Sequence, residues 1–360
     1  MESFPLAGFR NIGNTCFMNS ALQIFMLFED LLNFIEEGDH KSNILKVINW
    51  LKKTYDIEKV VNPAPLKNEM GKKDKKFKGF AQEDSQEFLL ELLDYIEETL
   101  QKEYKTENKK SIEENIVSEL FDTTVKTILK SKETEDKSVN IEPNRFLLFS
   151  LSEDTTNLNS CLSEYIQKEL LEGDNKWLPE GENKKKQDAI KVSYITKYPK
   201  YLMVLLKRYS YSKKRSMKLD NLIEIDEIWE SEIFPDDTYY ELSGIIHQSG
   251  SLNGGHYTSF IKLCGQWFYC DDSRVSKVNE AKVLEIAKRS YLLFFKQRKR
   301  SENQQKLQIP PKPKSVISYK IINENKENKE YDNDDYKSKK KLNQEKKAQR
   351  KIIKMNKKKK

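Results

Sequence analysis

Cys16 stands directly before an apolar segment with helical spacing, and Asn14 and Thr15 ahead of it are helix-capping types. A thiol attacks as its thiolate, and the partial positive charge at a helix N-terminus favours that anion. Cys16 is thus a candidate nucleophile, weighed against the plainer role of a small buried hydrophobe. The chain has three histidines to serve as its base. His40 lies in the polar stretch EEGDHKSN and is expected on the solvated surface. His247 ends the apolar run Gly244–Ile246, and His256 opens another directly after Gly254–Gly255.

Asp271 separates the last two. HYTSFIKL (256–263) and QWFYCDD (266–272) flank a turn near 263–265, which predicts an antiparallel hairpin. With the turn centred between 263 and 264, His256 faces Asp271. With the centre one residue later, His256 faces Ser273 and Asp271 is its diagonal neighbour on the same face. Either register lets a carboxylate orient the imidazole. Alternation then sends Asp272 to the opposite face, turns Cys270 away from the site, and makes a one-residue slip exchange the two aspartates. The residues alone favour Cys16, His256 and Asp271 only modestly over a set built on His247.

These groups need elements to hold them. Residues 17–36 carry apolar side chains at Phe17, Ala21, Ile24, Phe25, Phe28, Leu31, Leu32 and Ile35, which predicts a helix. A second is predicted over 85–100, with Phe88, Leu89, Leu92, Leu93, Ile96 and Leu100 on one side and Asp84 or Ser85 as its cap. Between 101 and 140 the chain turns polar and Lys/Glu-rich, with a strand at 125–129, and 172–190 is another polar insert. From Tyr201 onward β character dominates: strands are expected at 201–206, 243–247, 256–263, 266–272 and 290–296, with a short helix at 282–289.

Apolar content collapses after about residue 300, past which PPKPK and an Asn/Glu/Lys/Asp run cannot build a core. From Tyr336 to the end, thirteen Lys and Arg face one acid, so this tail carries +12 and residues 1–335 carry −5 of the net +7. The basicity therefore says little about the partners of the folded part. The four cysteines form no CxxC pair, which argues against a disulfide framework. No signal-peptide pattern opens the chain and no apolar run reaches 18 residues, so a membrane is not expected as a partner. Cytoplasm, nucleus or both are the expected compartments.

Several segments resemble, in order, those of the ubiquitin-specific proteases. GFRNIGNTCFMNS (8–20) is similar to that family's cysteine box, and QEDSQEFL (82–89) to the segment entering its thumb helix. YELSGIIHQSGSLNGGHYTSF (240–260) is similar to its histidine box. WFYCDDSRV (267–275) matches its aspartate segment and YLLFF (291–295) its last strand. Phe146–Ser152 and Leu202–Tyr209 also fit, so the likeness runs over about residues 8–296.

The resemblance implies an α+β, papain-like hand in which a helical thumb and a β palm flank the active site and β fingers grip ubiquitin. It implies one catalytic domain over 5–298 and a disordered Lys-rich tail over 299–360. Residue by residue, it implies Cys16 as nucleophile, His256 as base and Asp271 as orienting acid. Asn11 becomes an oxyanion-hole donor and Asp272 a supporting acid. Gln82, Asp84 and Glu87 would face the arginine-containing tail of ubiquitin, beside Tyr257, with 248–255 as a mobile loop over the site. The reaction needs no cofactor.

Many members bind a structural zinc through CxxC pairs at the fingertips. The corresponding stretches, 129–132 and 178–183, hold no cysteine, so no metal is expected. Cys161 and Cys264 have no evident role. The implied partners are ubiquitin and ubiquitinated proteins. Rival readings are a protease for a ubiquitin-like modifier and a non-catalytic ubiquitin-binding scaffold. A third is a protein ruled by its basic tail, through nuclear import receptors or weak contact with nucleic-acid phosphates.

Overall fold

A computed structural model describes residues 6–106, 115–152, 155–181, 184–212, 215–218, 221–251 and 254–300. The Lys-rich tail lies outside the described residues. In chain order, the early elements are β1 (Gly8–Phe9), α1 (Cys16–Phe25), α2 (Glu29–Glu37), α3 (Asn43–Tyr55), β2 (Val60–Val61), α4 (Ala64–Lys73), α5 (Ser85–Thr106) and α6 (Ile116–Phe121). Next come β3 (Thr123–Ser131), β4 (Lys137–Asn144), β5 (Phe146–Ser150), α7 (Leu158–Ile166), β6 (Glu169–Leu171) and β7 (Ala189–Lys197). The chain continues through β8 (Tyr201–Lys207), β9 (Tyr209–Ser212), β10 (Arg215–Lys218), β11 (Ile228–Trp229) and β12 (Thr238–Ser251). It closes with β13 (Gly254–Leu263), β14 (Gln266–Asp271), β15 (Arg274–Val278), α8 (Glu280–Ala287) and β16 (Leu292–Lys299).

The main sheet runs β15-β14-β13-β12-β16-β8-β5, with β11 on β12. Its central strands are buried on both faces, so they read as continuous apolar runs. Tyr201, Met203, Leu292 and Phe294 enter the core shared with the helices, while Leu202, Val204, Leu293 and Phe295 enter the core behind the sheet. A second sheet, β4-β3-β7-β6, forms the fingers.

The single helix expected over 17–36 is two. The chain tightens at its middle, where Leu27 and Phe28 donate to the carbonyls three residues back. This places the Phe28 ring against Phe25, Phe121 and Tyr201. His40 also departs from expectation. Its side chain is largely buried, with Nδ1 2.8 Å from Glu103 of α5, whose other oxygen accepts the backbone N–H groups of Lys41 and Ser42. A carboxylate satisfying free N–H groups at the start of α3 explains why this loop is pinned rather than solvated. Among the described residues no helix is long and apolar enough to cross a membrane.

Candidate active site

Cys16 is the first residue of α1, a helix buried along its whole length. The loop before it is built by Asn11, whose Oδ1 accepts from the backbone N–H of Gly13 and Thr15 at 3.0 and 3.3 Å. Thr15 Oγ1 accepts the Ile12 N–H at 3.0 Å. These bonds turn the chain sharply and deliver Cys16 to the helix start, against β13.

The β13–β14 ladder pairs Leu263 with Gln266 and Ser259 with Cys270, the later of the two registers considered. Extended by one pair it sets Thr258 opposite Asp271, so His256 is the diagonal neighbour. His256 Nε2 lies 2.6 Å from Asp271 Oδ1. His256 is 45% exposed at its side chain and Asp271 31%, so the pair is open to solvent. With Nε2 held by the carboxylate, Nδ1 is the nitrogen left for proton transfer. His247 instead has Nδ1 3.4 Å from Ser290 Oγ, and Thr258 is its strand partner. Cys270 packs in the core, as alternation requires, and burial pushes its thiol up to about 12.

Asp272 does not point to the opposite face. The strand ends at Asp271, which pairs with Arg274, and Asp272 takes φ 50° in the two-residue turn between them. Strand alternation no longer applies there. The carboxylate accepts from Asn11 Nδ2 at 2.9 Å and from Asn19 Nδ2 at 2.7 Å. Its backbone carbonyl accepts the Phe9 N–H at 2.8 Å. Gly8 permits this approach, because a Cβ there would lie 2.4 Å from the Ser273 backbone. Asp272 thus holds the Asn11 amide from behind and leaves its second N–H unspent.

Asn19 was not anticipated as part of this network. The available signal was a polar side chain one turn after Cys16 on a helix with no exposed face, since a buried amide must find partners. His256, Asp271 and Asp272 bring potential ligand atoms within 4.8 Å of one another, the one such group among the described residues. Nε2 is taken by Asp271 and both Asp272 oxygens by amides, so these donors fit a hydrogen-bond network better than a metal shell.

Across the groove runs the segment entering α5. Gln82 is exposed and spans the gap: its Oε1 accepts the Gly255 N–H at 3.1 Å, and its Nε2 donates to the Gly255 carbonyl. The same Nε2 lies 3.7 Å from Cys16 Sγ. Asp84 Oδ1 caps α5 by accepting from Gln86 and Glu87, and its Oδ2 accepts from Tyr257 Oη at 3.2 Å. Tyr257 is buried and forms a wall beneath Asp84. Glu87 is exposed and pairs with Lys76 at 2.7 Å. The structure therefore brings Asn11, Cys16, Gln82, Asp84, Tyr257, His256, Asp271 and Asp272 around one groove, with Glu87 farther along α5. A free thiol at a helix start, an imidazole held by a carboxylate and a held amide donor are groups suited to acyl transfer.

Residues 7–295 match the family model described as ubiquitin carboxyl-terminal hydrolase. The chain is 30% identical over 336 residues to ubiquitin carboxyl-terminal hydrolase Usp2 of Drosophila melanogaster, covering 82% of this chain but only 35% of that protein. It is 28% identical to ubiquitin carboxyl-terminal hydrolase 8 of Saccharomyces cerevisiae, covering 81% of this chain and 70% of the relative. Among solved structures it resembles a chain of the SAGA DUB module (Ubp8/Sgf11/Sus1/Sgf73) bound to monoubiquitin. The TM-score is 0.70 and the identity 26%, over 82% of this chain and 70% of that one. The same module bound to ubiquitin aldehyde matches with TM-score 0.68 at 25% identity.

Proposed function

Because the chain belongs to the ubiquitin carboxyl-terminal hydrolase family, we propose that it cleaves the isopeptide or peptide bond at the C-terminal glycine of ubiquitin. The observation that carries this reading is the 2.6 Å His256–Asp271 pair, set in the same groove where Gln82 joins Cys16 to the residue before His256. The Cys16 thiolate attacks the glycine carbonyl. The second N–H of Asn11 and backbone N–H groups at the start of α1 stabilise the oxyanion. His256 Nδ1 protonates the leaving lysine amine, then takes a proton from the water that releases ubiquitin. Asp271 holds the imidazole, and Asp272 holds Asn11. Asp84 and Glu87 give the basic tail of ubiquitin two carboxylates, and Gln82 gives its backbone an amide to replace the Gly255 contact.

A ubiquitin probe with a C-terminal electrophile should label the wild type covalently and leave Cys16→Ala unlabelled. A folded wild type that takes no label would overturn the reading and favour a binding scaffold. Labelling by a ubiquitin-like probe alone would reassign the modifier. We further propose residence in the cytoplasm or nucleus, a reading supported by four free cysteines. The Lys-rich tail is proposed to contact import receptors or, weakly, nucleic-acid phosphates. Deleting residues 301–360 should leave hydrolysis intact and shift a tagged protein out of the nucleus; unchanged distribution would remove that role.

A further inference from the structure

The sequence changes electrostatic character at Gln82, which lies beside Cys16. Residues 72–78 hold five lysines and one acid, while 82–91 hold four acids and no base. The two stretches meet at the Lys76–Glu87 pair. On the acidic side lie Asp84 and Glu87, which the proposed function assigns to the ubiquitin tail. An acyl carbon attacked by Cys16 has the tail on one side and the leaving lysine on the other. Phe80 lies against Gly13 and Asn14, just ahead of Cys16 in the chain, and apart from the Asp84–Tyr257 contact.

This place is built to hold an exposed ring. Phe80 is 70% exposed, the second most exposed large hydrophobic residue after Ile57 among the described residues. It packs over Gly13, where φ is +110° and a Cβ would meet the ring at 2.5 Å. The Phe80 carbonyl accepts from Asn14 Nδ2 at 2.8 Å. Lys67 Nζ donates to the Gly79 and Lys78 carbonyls at 2.6 and 3.2 Å and sits 5.3 Å from the ring centroid. Burial lowers the Lys67 ammonium below its usual range.

Lys75 and Lys78 are exposed at the two ends of the short 3₁₀ turn just before Gly79. Residues three apart in a 3₁₀ turn eclipse one another, so both ammonium groups share one edge. The neighbouring lysines are spoken for: Lys72 pairs with Glu69, Lys73 with Glu98, and Lys76 with Glu87.

We propose that Phe80, flanked by Lys67, Lys75 and Lys78, docks the target protein beside its modified lysine and selects targets whose flanking residues are acidic with an apolar anchor. This rests on the deubiquitinase reading. Phe80 supplies apolar area at the rim of the groove, and the lysines supply the attractive and excluding charges. Lys67 and Asn14 act as positioning residues for the ring.

The test uses the full chain and three substrates: ubiquitin with a small fluorogenic amide leaving group, and ubiquitin joined through an isopeptide to a lysine flanked by Glu and Leu or by Lys and Leu. The wild type should prefer the acidic peptide by about tenfold in kcat/KM, with the preference shrinking as salt rises. Lys75→Glu with Lys78→Glu should reverse it. Phe80→Ala should lower both peptide rates about fivefold, mostly through KM, and leave the fluorogenic substrate unchanged. Equal rates on the two peptides, or a preference that survives the double charge reversal, would overturn the proposal while leaving the enzyme reading intact. Failure on the fluorogenic substrate would instead strike the deubiquitinase reading itself.

Discussion

The palm end and the fingertip each close antiparallel strands with a polar cluster, but to opposite effect. At the fingertip Ser131 Oγ donates to Gln187 Oε1 at 2.8 Å, and Gln187 Nε2 donates to Asp136 Oδ2 at 3.0 Å. Thr134 and Lys184 bond the same carboxylate at 2.9 and 2.7 Å. Gln187 and Ser131 are almost fully buried, and the cluster ends on itself. It stands by the stretches where the family resemblance would put zinc-binding cysteines, so hydrogen bonds close the strands there. At the palm end, Asn11, Asn19 and Asp272 form an equally tied cluster, yet it keeps an amide N–H unspent next to the half-exposed imidazole that Asp271 holds. One network holds geometry only; the other holds geometry so that two groups stay free to react.

The two adjacent aspartates break that comparison most sharply. Asp271 touches His256, the proposed base, so Asp271→Ala should lower kcat by roughly 10³- to 10⁴-fold. Asp272 acts through Asn11, so Asp272→Ala should lower kcat by about 10- to 100-fold with KM nearly unchanged. Asn11→Ala added to Asp272→Ala should then cost little more than Asn11→Ala alone, because the two share one path. Steady-state kinetics on a fluorogenic ubiquitin amide would measure all four. Additive losses would show that Asp272 works independently of Asn11.

The sequence carried the palm well and the fingers poorly, for a physical reason. Palm strands are buried on both faces, so β8 and β16 stand out as apolar runs. Finger strand β4 is mostly exposed and β7 mostly half-buried, and their mixed sequences, KSVNIEPN and AIKVSYITK, form no continuous apolar run. Helix α3 was legible but unread: Ile44, Leu45, Ile48, Leu51 and Tyr55 line its buried side at helical spacing. At the site, alternation placed Asp271 and Cys270 and narrowed the hairpin to two registers. It could not place Asp272, because a left-handed turn residue obeys the turn and not the strand. Nor could it find the Gln82 bridge, since contacts between residues 173 apart depend on how the thumb meets the palm.

Gln82 sharpens the comparison by several-fold rather than by orders of magnitude. Its amide satisfies both backbone groups of Gly255, as an extended substrate backbone would, and crowds the Cys16 thiol. Gln82→Ala should raise the rate of Cys16 alkylation by a small reagent such as iodoacetamide about fivefold, while lowering kcat/KM for ubiquitin substrates through lost tail contacts. Mass spectrometry of the alkylated Cys16 peptide separates the effects. Unchanged alkylation would mean that Gln82 does not obstruct the thiol in the free protein.

The smallest effect is expected at the fingertip, where it should appear in stability and not in chemistry. Hydrogen bonds from Lys184, Gln187 and Thr134, in that order, hold the Asp136 carboxyl down at about 2. An unfolded aspartate titrates near 3.9. The unfolded chain therefore binds this proton first as pH falls, and the contribution of Asp136 is complete above about pH 5 and is lost progressively down to about pH 1. Asp136→Asn should lower the urea midpoint at pH 7 and flatten its fall between about pH 5 and 3, with kcat at neutral pH unchanged. Gln187→Ala should weaken the fingers at every pH by about 1–2 kcal/mol, because it leaves Ser131 without its buried partner. A variant of either residue that lost kcat in proportion to the Asp272 variant would show that the fingertip reaches the catalytic groups, and the two networks would then be one.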